Sequence, residues 1–117
     1  MKRFNLQEKW LFGITLFLLP VFILTNSCKK ASDIPGANEV FIQGNSFDPG
    51  TITVQANTTI TWTNKDGVAH TVTSNTGLFN SGTINADGTY SYLFSTAGTY
   101  PYHCTFHPSM TATVVVN

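Results

Sequence analysis

From Glu39 onward the chain alternates between apolar and polar positions with a period of two, as strands do when successive side chains point to opposite faces. The clearest run is Thr58–Thr63, where Ile60 and Trp62 fall on one face and Thr59, Thr61 and Thr63 on the other. Thr51-Ile52-Thr53-Val54 repeats the pattern, and Val40-Phe41-Ile42 is a short apolar run. Turn-forming residues separate these runs at Gly44-Asn45, Ala56-Asn57 and Asn64-Lys65-Asp66-Gly67. Further strands are predicted at His70–Ser74, Thr89–Phe94, Thr99–Cys104 and Met110–Val116, with a less regular stretch from Gly77 to Asn85. No window carries a convincing helical period. Short strands at this spacing predict an all-β sandwich or barrel.

The N-terminal part has a different pattern. Lys2, Arg3 and Lys9 form a basic start, and Trp10 through Leu24 form a largely apolar run of 15 residues, interrupted by Pro20. That run is shorter than the roughly 20 residues a spanning helix needs, and it reads as a secretory signal. Leu24-Thr25-Asn26-Ser27-Cys28 resembles a bacterial lipobox, which implies a signal peptide over 1–28 and a lipid on Cys28. The other reading is an uncleaved anchor with Cys28 a bystander. Both place the remainder on the periplasmic or cell-surface side of a bacterial membrane. Residues 29–38 are polar with Pro and Gly and read as a flexible linker. Residues 39–117 form the domain.

Composition narrows the function. About 90 residues remain after the signal, small for one core, so support from a metal would fit. Of the two cysteines, Cys28 is assigned to processing, which leaves Cys104 without a disulfide partner. From Glu39 on, the charges are Glu39, Asp48, Lys65, Asp66 and Asp87, one positive against four negative. Such a surface excludes nucleic acid, whose phosphates need clustered Lys and Arg.

The chemistry concentrates in Tyr100-Pro101-Tyr102-His103-Cys104-Thr105-Phe106-His107-Pro108-Ser109-Met110, where Cys104, His107 and Met110 recur every third residue on a loop between two strands. A lone Cys-x-x-His would suit zinc. The added thioether is a soft ligand that favours copper, and a His₂Cys set with a weak axial Met is an electron-transfer copper arrangement. His70 is the natural second histidine. Taken singly, Cys104 could be a small buried hydrophobe, Met110 a core residue and Asn64 an ordinary turn starter. Strand alternation places His103 on the face opposite Cys104 and so away from the ligands. Trp10 belongs to the signal and Trp62 to the core.

The whole pattern resembles the cupredoxins, and within them the plastocyanin-like group that includes the amicyanins. The pieces are Phe47-x-Pro49, Ile52-x-Val54, Ile60-x-Trp62-x-Asn64, Asp66 before His70-x-Val72, and Gly98-x-Tyr100-x-Tyr102-x-Cys104, followed by the short ligand loop. The resemblance implies a Greek-key β-sandwich of about seven or eight strands. It implies one copper held by His70, Cys104, His107 and Met110, with Asn64 pinning the ligand loop and Phe106, His107 and Pro108 forming the electron-transfer surface. Thr71 stands where the family often has Asn. The short loop also resembles proteins in which the counterpart of His107 protonates and leaves reduced copper, implying a potential that rises as pH falls.

Three functions compete. The first is single-electron transfer between a donor and an acceptor redox protein, by a membrane-tethered monomer. The second is capture or delivery of copper outside the cytoplasm, which Met-poor sequence disfavours. The third is an enzyme, for which additional histidines and an acid–base group are missing from the sequence.

Overall fold

The computed structural model describes residues 30–117, so the signal segment and Cys28 lie outside the described residues. Eight strands follow one another: β1 Glu39–Ile42, β2 Phe47–Asp48, β3 Thr51–Val54, β4 Thr58–Asn64, β5 Thr73–Ser74, β6 Thr89–Phe94, β7 Gly98–His103 and β8 Thr111–Val116. They form two four-stranded sheets, ordered β2-β1-β4-β6 and β3-β8-β7-β5. The pairs β1·β4 and β3·β8 are parallel and the others antiparallel. The predicted all-β sandwich is therefore what the chain forms.

Alternation decides what is buried. Ile60, Trp62 and Asn64 of β4 and Ala112, Val114 and Val116 of β8 face inward, while Thr61, Thr63, Thr113 and Val115 between them are more exposed. At the centre the Trp62 indole donates to the Tyr102 hydroxyl at 3.1 Å, joining β4 to β7 across the sandwich. Phe79 and Ile84, from the strandless stretch between β5 and β6, fill the rest of the interior. Phe41 departs from the alternation, being buried although its neighbours Val40 and Ile42 are buried too. The Lys65 ammonium lies over its ring, 4.7 Å from the ring centre.

Four segments differ from the sequence reading. The strand expected at His70–Ser74 shrinks to Thr73–Ser74, because the amides of residues 70–72 turn to other partners. His70 exchanges backbone bonds with Ile84, the Thr71 amide points to Cys104 Sγ, and the Val72 amide to Ser81 Oγ. Cys104 and Met110 sit just outside β7 and β8. Phe47–Asp48, unassigned in the sequence, pairs with β1 through a two-residue turn at Gly44-Asn45, whose φ values of 62° and 54° suit a hairpin turn that Gly and Asn adopt readily. In the linker, Ala31–Asp33 makes one 3₁₀ turn, and Asn38 already accepts a bond from the Thr61 amide.

Candidate metal centre

The hairpin β7–β8 builds most of the site. The His103↔Thr111 pair closes it, and the seven residues between them form a compact loop. Within that loop the Cys104 amide donates to the Met110 carbonyl at 3.0 Å and the Met110 amide to the His107 carbonyl at 2.8 Å. These bonds turn the loop back on itself and set the Cys104 and His107 side chains side by side.

His70 reaches the same point from the far side of the sandwich. Its Nδ1 lies 3.7 Å from Cys104 Sγ, as does the Nδ1 of His107, and the three ligand atoms fall within 4.8 Å of one another. The two imidazole rings are 5.0 Å apart between centres. Cys104 and His70 are fully buried, whereas His107 is half-buried. Among the described residues this is the one cluster of three His, Cys or acidic side chains able to hold a metal.

Each ligand is held by something. His70 Nε2 lies 2.8 Å from Asp66 Oδ2, so Nε2 carries the proton and Nδ1 presents its lone pair to the centre. Asp66 is itself fixed, accepting from the amides of Gly44 at 2.7 Å and Asn45 at 3.0 Å. Burial pushes the Asp66 carboxyl up, but the amides of Asn45 and Gly44 and the His70 ring outweigh it and hold the group below its ordinary value. Asn64 is fully buried; its amide donates to the carbonyls of Val68 and Ile84, and its oxygen accepts from the Asp66 amide. It thus pins the stretch leading to His70.

Thr71 ties the two halves together. Its amide points to Cys104 Sγ at 3.3 Å, and its hydroxyl accepts from the Thr105 amide at 2.8 Å. The same hydroxyl lies 3.0 Å from those of Thr73 and Thr105. Met110 is buried at the end of the loop. Phe106, which is 52% exposed, and the exposed Pro108 flank His107 in the loop and make its surface apolar, and Val68, 53% exposed, stands two residues before His70. His103 is outside the cluster, its Nδ1 bonded to Asn75 at 2.6 Å on the outer face of the sheet.

The sequence reading named Asp66 only as a marker and assigned nothing to Thr105. The signal for Asp66 was its position four residues before His70; for Thr105 there was none, because its role depends on a contact 34 residues away.

The donor set suits a first-row metal in a near-trigonal plane. Bonds of about 2.0–2.1 Å to nitrogen and about 2.3 Å to sulfur put N and S about 3.8 Å apart at 120° and about 3.6 Å at the tetrahedral angle. The observed 3.7 Å lies between them. The Cys104 sulfur and the His70 imidazole, both buried and tied to Thr71 and Asp66, together with the half-buried His107 imidazole, form a candidate copper site.

Comparison with known proteins agrees. The model of the cupredoxin-like domain matches residues 14–116. Amicyanin of Paracoccus denitrificans is 34% identical over 86 residues, covering 69% of this chain and 66% of that one. Plastocyanin of Scenedesmus fuscus is 36% identical over 72 residues, 52% of this chain and 74% of that one. Among solved structures, a reduced Cu(I) amicyanin variant at pH 4 aligns with a TM-score of 0.66 and 33% identity, covering 70% of this chain and 83% of its own. Sequence, fold and ligand geometry thus agree, and the chain belongs to the cupredoxin-like family.

Proposed function

We propose that this chain is a single-copper electron carrier, tethered outside the cytoplasm through its N-terminus, which shuttles one electron at a time between redox proteins. The observation that carries the reading is the buried Cys104 Sγ with two imidazole Nδ1 atoms, each 3.7 Å away. Its similarity to an amicyanin and a plastocyanin supports the same reading. Copper held there would supply the redox couple. Cys104, His70 and His107 would hold it, with the Met110 thioether as a further soft donor that would tune the potential.

The protein's own residues do the rest. Asp66, Thr71 and Asn64 hold the ligands in one geometry, so little has to move between oxidation states. Phe106, His107 and Pro108, with Val68 beside them, form a small apolar surface suited to a brief encounter with the donor and then the acceptor. The tether is a lipid on Cys28, which becomes the N-terminus once the signal is removed, followed by the linker 29–38, and the carrier works as a monomer on the periplasmic or cell-surface side.

The test is the visible spectrum of the full chain, dispersed in mild detergent, after addition of Cu(II). An intense thiolate-to-copper band, bleached by a reductant and missing in Cys104→Ser, supports a carrier. A colourless protein that still binds copper would favour metal delivery instead.

A further inference from the structure

We infer that the copper face is turned away from the membrane, so that its partner is a redox protein approaching from the aqueous side rather than one lying flat on the bilayer. This rests on the tethered carrier proposed above and adds the direction from which it is met.

Strand β1 sets the polarity. Its last residue, Ile42, pairs with Asn64, and the Ile42 carbonyl accepts from the Lys65 amide. The turn that follows binds Asp66 and, through it, His70. The beginning of β1 points the other way: Glu39 pairs with Thr61, and Asn38 accepts from the Thr61 amide. Six residues separate Asn38 from Gly44, which at about 3.3 Å per residue is about 20 Å along the domain. The chain therefore enters the sandwich well below the copper end.

The residues before Asn38 pack against the flank of the domain, where Asp33, Ile34 and Pro35 line a groove of about 250 Å³ together with Asp48, Pro49 and Ile52. A turn closes it, with the Glu39 amide donating to the Gly36 carbonyl and the Glu39 carboxylate accepting from the Gly36 amide at 2.9 Å. With this segment seated, the free tether shortens to the steps from Cys28 to Asp33, at most about 18 Å.

Charge points the same way. Lys29 and Lys30 come first after Cys28 and suit anionic headgroups. The rival arrangement would lay the exposed Phe106, Val68 and Pro108 on the lipid and hide the copper face.

The experiment compares the copper-loaded full chain in phosphatidylcholine vesicles with the same chain in mild detergent. A soluble reduced haem protein is mixed with each, and one electron passes from ferrous haem to Cu(II), giving ferric haem and Cu(I). The rate constant is followed by bleaching of the copper band; comparing rate constants rather than amplitudes sets aside chains facing the vesicle lumen. We expect the two values to agree within twofold. A slowing of tenfold or more on vesicles, with the band intact, would overturn the orientation. A missing band in both preparations would sink the carrier reading on which it rests.

Discussion

Replacing Thr71 with Val removes one hydroxyl while keeping the branched shape and the amide that points to Cys104 Sγ. The hydroxyl accepts from the Thr105 amide at 2.8 Å and touches the hydroxyls of Thr73 and Thr105 at 3.0 Å. In the variant the Thr105 amide loses its partner. A buried donor left unpaired costs about 1–3 kcal/mol, and because Thr105 stands at the surface the lower part of that range applies, about 1–2 kcal/mol. For a domain of this size that is a fall in melting temperature of about 4–16 °C. Thermal unfolding of the copper-free protein by circular dichroism reads it, with Thr71→Ser as the control that keeps the hydroxyl. A Val variant melting within a degree of the parent, or a Ser variant losing as much as Val, would refute the assignment of Thr71 as the tie between the two ligand-bearing segments.

Asp66→Ala frees the His70 ring to take the wrong tautomer, and copper affinity measured by competition with a chelator should fall about 10–100-fold. Because Asp66 is held below its ordinary 3.8, its contribution to stability is present above that pH and fades as pH falls further, a component that acid unfolding of the Asp66→Ala variant should lack. Burial pushes the Tyr102 phenol above its ordinary value of 10.0, and the bond from Trp62 offsets this only in part. The folded state therefore keeps the proton longer: the contribution is intact below about pH 10 and is lost as pH rises beyond it. Tyr102→Phe should remove that alkaline dependence and, by stranding the Trp62 indole N–H, lower stability by about 1–3 kcal/mol in urea titration. Met110→Leu conserves volume and should leave the thiolate band while raising the reduction potential in voltammetry; an unchanged potential would show that Met110 is only core.

The sequence showed the alternating strands and the ligand residues for different reasons. Alternation in Thr58–Asn64 and Thr111–Val116 is written residue by residue, so the inward faces could be read directly. Cys104, His107 and Met110 are close in sequence, and their side-chain chemistry is unusual enough to stand out. What stayed hidden depends on pairs far apart along the chain. Asp66 meets Gly44 and Asn45 at separations of 22 and 21 residues, and Thr71 meets Thr105 at 34. Threonine is common in this chain, so nothing local marks two of them as a joint. Phe47–Asp48 is too short for a pattern, and residues 70–72 look like a strand until their amides find the site.

The pairing of β8 with both β7 and β3 has a kinetic meaning. β8 joins β7 on one side and, through Thr51↔Thr113 to Val54↔Val116, joins β3 on the other. His70 and the whole Cys104–Met110 loop lie inside the long loop that the β3·β8 contact closes. Parallel pairing across some sixty residues is a late event in folding, since its entropy must be met before its contacts form. During folding, the cysteine is therefore present before the pocket that protects it. For that interval Cys104 is an open thiol, available to oxidants or to stray metal, and quick closure of β8 determines how much protein matures with its ligands unspoiled.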